Sequence, residues 1–357
     1  MNCLITGGAG FIGSHLAEAL LAEGHNICVI DDLSTGREAN IAHLRGHRRF
    51  RFVRGTVCDP QVLAPLVAAA DEIYHLAAVV GVRLVVEHPI HTIRTNVEGT
   101  EVVLRLAAPS RKRIIITSTS EVYGKGINGK LREDDDMLLG PTTHARWCYA
   151  CSKALDEFLA LAYWREHHLP VTIARLFNTV GPRQVGTYGM VLPRFVQQAL
   201  AGGPITVYDD GQMVRCFAHV SDVVRALVQL NRHPQSLGQV FNVGSEEPVT
   251  ILELAERVRA CVGNRARIEH IPYEKAYEAG FEDIRHRVPD TTKLRNLTGF
   301  RPEYDLNRII ESVVTYYRHQ SSAATLPVAG VAERPRRRPS VRKPAHTKRH
   351  SRRGAKP

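Results

Sequence analysis

The chain has 357 residues and a formal net charge of +11, long enough for one large α/β domain with a smaller companion. The charge is concentrated: residues 333–357 carry eleven Lys and Arg against one acid, +10, which leaves residues 1–332 at +1. A near-neutral body argues against a folded surface built for a polyanion, because the basic character sits on an appendage.

That appendage, "ERPRRRPSVRKPAHTKRHSRRGAKP", has one aliphatic residue larger than Ala and no aromatic. It cannot bury enough apolar surface to offset its ordering entropy, so residues 319–357 are expected to be a disordered basic tail. Such a tail can hold polyanions nonspecifically and defines no partner. The seven cysteines follow no disulfide pattern. Cys148 and Cys151 form a CxxC without the second pair that a structural zinc site needs, so no metal is expected. The first strand begins at Asn2, leaving no room for a signal peptide, and no apolar run approaches the ~20 residues of a membrane span. A reduced, cytoplasmic chain is the expectation.

In chain order, "NCLIT" reads as a short buried strand, "GGAGFIG" follows at once, and "SHLAEALLAEGH" has helical spacing. Gly8, Gly10 and Gly13 fit the dinucleotide fingerprint, and Gly7, Gly10 and Gly13 its wider variant, with Phe11 and Ile12 opening the helix. Glycines serve here because the turn is tight, a pyrophosphate must approach the backbone and the helix must pack close. The helix N-terminus then offers N–H groups to phosphates. A second strand, "NICVID", ends in Asp31, placed to accept hydrogen bonds from an adenosine ribose and to repel a 2′-phosphate, which favours NAD over NADP. Arg37, close by in sequence, is the one feature that points the other way.

Strands and helices go on alternating through "DEIYHLAAVV", "NVEGTEVVLRLAA" and "RKRIIITST". This βαβ rhythm predicts a Rossmann-type, doubly wound parallel sheet. His75 reads as a satisfied core histidine and Asn96 as a helix cap. In "RWCYACSKALDEFLALAYW", Tyr149 and Lys153 are four apart and share a helix face. A Lys ammonium beside a phenol favours the phenolate, so the pair is suited to general-base work on a sugar hydroxyl while a nicotinamide takes the hydride. The same helix is apolar on more than one face, which suggests a homodimer.

Taken together, "TGGAGFIGSHL", "DDLSTGR", "HLAA", "STSEVYG", "YACSK", "RLFNTVGPR", "GMVLPRFVQQAL", "HVSDVV", "FNVGS" and "RVPD" resemble the extended short-chain dehydrogenase/reductases that modify nucleotide sugars. The likeness runs from Met1 to about Arg318. It implies a NAD-binding domain over 1–177 with a return near 221–244, a smaller, mixed and discontinuous substrate region over 178–318, and a dimer. It also implies roles: Tyr149 the base, Lys153 its activator, and Thr119 a partner of the same 4-hydroxyl. Tyr149 and Lys153 also touch the cofactor. Asn178, Arg215 and Arg287 match positions at the substrate diphosphate, Tyr208 lies near the base pocket, and Ser120 faces the sugar. Thr56 stands where relatives usually carry an Asp that meets the adenine amine, leaving the Val57 backbone for that contact.

All relatives begin by oxidising C4, and the residue at Glu121 separates their later steps. Simple 4-epimerases carry a small or apolar residue there, and thymidine-linked 4,6-dehydratases an Asp-Glu pair. Ser120-Glu121 resembles the UDP-glucuronate decarboxylases and the GDP-mannose 4,6-dehydratases, and "RVPD" resembles the decarboxylase version of its segment. The loop "GMVLPRFVQQALAG" also resembles UDP-sugar 4-epimerases. The resemblance implies decarboxylation of UDP-glucuronate to UDP-xylose, with Glu121 and Arg287 as an acid–base pair near C5 and C6. Epimerisation and GDP-mannose-type dehydration are the alternatives. A non-catalytic binding protein has no use for a tuned phenol.

Overall fold

The computed structural model describes residues 1–126, 129–186, 190–263, 265–272 and 284–324. The basic tail beyond 324 lies outside them. The first half alternates β1 (Asn2–Thr6), α1 (Phe11–Ala22), β2 (Asn26–Asp31), β3 (Phe50–Arg54), α2 (Pro60–Ala69), β4 (Glu72–His75), α3 (Val82–Glu87), α4 (Pro89–Ala107), β5 (Arg113–Thr119), α5 (Trp147–His167) and β6 (Val171–Leu176). The second half continues with β7 (Thr179–Val180), α6 (Val191–Leu200), β8 (Ile205–Tyr208), β9 (Val214–Cys216), β10 (Ala218–His219), α7 (Val220–Arg232) and β11 (Gln239–Val243). It closes with β12 (Pro248–Thr250), α8 (Ile251–Val262), β13 (Ile268–Ile271), β14 (His286–Arg287), α9 (Thr292–Thr298) and α10 (Leu306–Ala324).

Seven parallel strands form the main sheet in the order β11-β6-β5-β4-β1-β2-β3. Its central strands are short apolar runs buried on both faces, as a sheet covered by helices on both sides demands. Leu16 and Leu20 of α1 and Val223 and Leu227 of α7 cover one face. Leu63 and Leu66 of α2, Val103 of α4 and Ala160 of α5 cover the other.

The strand order reverses between β1 and β4, where an open α/β sheet leaves a crevice at its carboxyl ends. One side chain pins that point. Thr6 Oγ1 lies 2.8 Å from His75 Nδ1 and accepts hydrogen bonds from the backbone N–H groups of Leu76 and Ala77, each at 3.2 Å.

A smaller body packs α6, α8 and α10 around Phe195, Leu254, Ile309 and Val313. It carries the mixed sheet β12-β9-β14 and the parallel pair β13-β8. In this sheet Arg287 and Arg215 are register partners on neighbouring parallel strands. Helix α10 continues past Arg318 to Ala324, with Tyr317 bonded through its hydroxyl to the Gln184 carbonyl. No helix among the described residues is long and apolar enough to cross a membrane.

Candidate active site

Apart from Gly8, every residue singled out from the sequence as a site residue lines one cleft of about 470 Å³ along the carboxyl ends of β1, β4, β5 and β6. That volume suits a bound small molecule, for which roughly 300–1,000 Å³ is usual.

At the β1 end, Gly7 has a φ of +68°, and a Cβ there would lie 2.8 Å from the Ala77 nitrogen. A Cβ on Gly13 would come within 2.4 Å of the Gly7 carbonyl oxygen. Only glycine fits either position, so the loop lies flat and α1 packs close behind it. Helix α1 starts after Gly10 with no capping side chain, and Phe11, Ile12 and Gly13 bring its first-turn N–H groups to the cleft. The Asp31 carboxylate accepts from the N–H of Ala9 at 2.9 Å and of Leu33 at 2.8 Å. Burial pushes its pKa up and those backbone donors pull it back. Val57 and Thr56 wall the far side, where the Thr56 hydroxyl accepts from the Cys58 N–H at 3.2 Å. A cradle that any side chain would fill, helix N–H donors and an acid ending the second strand fit a dinucleotide.

At the β5 end, Thr119 Oγ1 accepts from the Glu121 N–H at 3.2 Å, which opens a single 3₁₀ turn over Ser120–Tyr123. The Tyr149 phenol shares this end of the cleft with Thr119. Its pKa is pushed up, by burial first and by the charge of Glu121 second, with Thr119 opposing. Lys153 lies one turn along α5, and its ammonium donates to Asp156 Oδ2 at 2.7 Å, with both side chains buried. The sequence reading has Lys153 drawing the phenol downward. Here Lys153 also pairs with Asp156, and burial, the largest influence, sets the direction of the phenol's shift.

Glu121 sits between two guanidiniums. Arg287 Nη1 is 2.7 Å from its Oε1, and Arg146 Nη2 is 3.5 Å from its Oε2. Arg287 also reaches Ser120 Oγ at 3.4 Å. Its buried Nε has no hydrogen-bond partner among the described residues. Arg215 is its register neighbour and donates to the Val214 carbonyl at 2.9 Å. Like charges placed side by side repel, so two paired arginines on a cleft wall suit an anion between them. Farther out, Asn178 Nδ2 donates to the Cys216 carbonyl at 2.8 Å, tying the end of the main sheet to β9. Tyr208 carries the Arg194 guanidinium over its ring, 4.1 Å from the centroid.

His75 is a satisfied core histidine, bonded to Thr6 and to Thr100 Oγ1 at 3.1 Å, and burial lowers its pKa to about 3. Asn96 is no cap. It lies in mid-α4, takes the Val79 N–H at 2.8 Å and donates to Ser152 Oγ at 3.1 Å, clamping the chain after β4 to α5. Cys148 and Cys151 are free thiols on α5.

Three residues escaped the sequence reading. Arg146 is three before Tyr149 and Asp156 three after Lys153, so helical spacing alone puts both near the Tyr–Lys face. Arg194 reaches Tyr208 from α6 to β8, a meeting that no local spacing announces.

Residues 4–313 match the GDP-mannose 4,6-dehydratase family. The chain belongs to that family. Among relatives of this GDP-mannose 4,6-dehydratase family member is a UDP-N-acetyl-α-D-glucosaminuronate decarboxylase from Bacillus cytotoxicus, 41% identical over 318 residues, spanning 89% of this chain and 98% of the relative. UDP-glucuronic acid decarboxylase 1 of Danio rerio is 35% identical over 340 residues, 94% of this chain and 78% of the relative. The solved UDP-glucuronic acid 4-epimerase from Bacillus cereus, in complex with UDP-glucuronic acid and NAD, superposes with a TM-score of 0.81. It is 28% identical, and the match covers 90% of this chain and all of that one.

Proposed function

We propose that this chain is an NAD-dependent decarboxylase of a UDP-linked hexuronic acid, UDP-glucuronate first, yielding a UDP-pentose through a 4-keto sugar. The observation that carries the reading is Glu121, tied to Arg287 at 2.7 Å and adjacent to the Thr119–Tyr149 pair. A 4-epimerase has no need of that ion pair, whereas a 4-keto uronate has a carboxylate for Arg287 and a C5 that must be reprotonated.

Gly7, Gly10, Phe11, Ile12 and Gly13 hold the cofactor pyrophosphate, Asp31 its ribose and Val57 its adenine. Bound NAD supplies a hydride acceptor that later returns the hydride, so none is consumed. Tyr149 takes the 4-hydroxyl proton, Thr119 aligns that hydroxyl and Lys153 favours the phenolate. Asn178 and Arg215 hold the nucleotide diphosphate, with Tyr208 near the base and Ser120 against the sugar. The 4-keto uronate is a β-keto acid: the C5–C6 bond breaks, CO2 leaves and its electron pair remains as a C4–C5 enolate. A proton delivered to C5 from the Glu121–Arg287 side restores the ketone, and Tyr149 returns its proton as C4 is reduced.

A second substrate rests on the Bacillus cytotoxicus relative, whose uronate bears a 2-acetamido group by name. Incubation of the chain with NAD and UDP-glucuronate, then UDP-N-acetylglucosaminuronate, with CO2 and product mass measured, separates the two. A product of unchanged mass from either uronate, or an inert response to both, overturns decarboxylation in favour of epimerisation or another substrate. On the same reading the protein acts in the cytoplasm as a homodimer. Ile90 and Ile93 of α4 and Leu155 and Phe158 of α5 all lie exposed on two packed helices, supporting a joint face for a second copy. The basic tail adds only nonspecific polyanion binding.

A further inference from the structure

Arg146 lies immediately before α5, in helical conformation and buried, with its guanidinium over the Trp147 ring 4.9 Å from the centroid. Trp147 is itself fixed, since the chain passes so close at Gly140 that a Cβ there would meet the indole. Arg146 is therefore mounted on the same rigid helix as Tyr149. Arg287, by contrast, belongs to the two-residue strand β14 of the smaller body. The two arginines take different oxygens of Glu121, Arg146 Oε2 and Arg287 Oε1.

That division has a chemical consequence. Arg287 is the guanidinium with an arginine as register neighbour on the cleft wall, so an arriving anion competes for it. Once Arg287 turns to that anion, its hold on Glu121 weakens. Arg146 meets the other oxygen from the start of the helix that carries Tyr149. We propose that Arg146 is a positioning residue that keeps Glu121 aimed at the sugar while Arg287 exchanges its carboxylate partner for the substrate's. This rests on the decarboxylase reading for the identity of the substrate anion, and on the geometry alone for the division of labour.

The test compares Arg146→Gln, Arg146→Lys and Glu121→Gln with the wild-type chain, on whichever uronate the latter turns over. A mis-aimed carboxylate costs roughly 10–100-fold in turnover. Arg146→Gln is expected to lose that much in product formation, with KM changed less than about threefold. Oxidation at C4 uses Tyr149, so NADH absorbance builds up with substrate bound, as in Glu121→Gln. The acidic limb of the kcat profile moves to higher pH, because a carboxylate with one guanidinium fewer keeps its proton longer. Arg146→Lys restores part of the turnover.

A merely structural role predicts a lower melting temperature with NADH formation and product formation falling in parallel, and that outcome overturns the proposal. So does a kcat within about threefold of wild type. If Arg146→Gln fails to fold, Arg146→Lys is read the same way. If the wild-type chain releases no CO2 yet epimerises a uronate, the decarboxylase reading has failed. The Arg146 comparison then stands or falls on the ratio of NADH to epimer.

Discussion

Replacing Lys153 with Met removes the ammonium 2.7 Å from Asp156 and leaves that carboxyl in a site where it is fully buried. Breaking a buried pair from one side costs about 3–5 kcal/mol, because the remaining charge loses its compensation. At about 2–4 °C per kcal/mol for a large domain, the melting temperature should drop by roughly 6–20 °C. Adding Asp156→Asn removes the stranded charge while keeping shape and hydrogen bonding, so Lys153→Met/Asp156→Asn should regain most of that loss and stay inactive. The pH dependence comes from the direction of the Asp156 shift. Burial raises its folded pKa above the unfolded value, with Lys153 and Thr100 opposing. A raised carboxyl contributes stability that is present at low pH and lost as pH climbs through the folded pKa. Without Lys153 that folded pKa rises further, so the deficit of Lys153→Met is widest near neutrality and shrinks on acidification. Turnover should respond in the opposite sense: the Tyr149 phenol is already pushed up by burial and Glu121, so residual activity in Lys153→Met grows with pH. Thermal scans and product mass across pH measure both. A double variant as unstable as the single one would refute the uncompensated charge of Asp156 as the cause.

Tyr149→Phe should abolish turnover and leave NAD affinity nearly unchanged, since it deletes one hydroxyl and little volume. Activity within tenfold of wild type contradicts its role as base. A chain ending at Ala324, rather than at Arg318 within α10, should fold and turn over normally while losing low-salt polyanion binding, read by heparin retention. Lost activity would place the tail in the site. Leu155→Lys with Phe158→Glu should give a soluble monomer in light scattering, and an unchanged mass would exclude that face as the interface.

The main sheet, the glycine turn, Asp31 and the Tyr149–Lys153 pair were all legible in the sequence. Each is written in local spacing: alternation of strand and helix, glycines where backbone must come close, and side chains four apart on one helix. Arg146 and Asp156 were legible by the same rule, at three residues from Tyr149 and Lys153. Other features depended on long-range closure. Nothing local says that Arg287 meets Glu121, 166 positions away, or that Arg287 and Arg215 become register partners on β14 and β9. The cap reading of Asn96 failed for the same reason, because its donor lies on the chain after β4 and its acceptor on α5. The direction of the Tyr149 shift was also set by tertiary structure. Spacing put a cation near the phenol and Asp156 beside that cation, but burial and the charge of Glu121 appear only when β5 and α5 converge, and desolvation then outweighs the nearby charge.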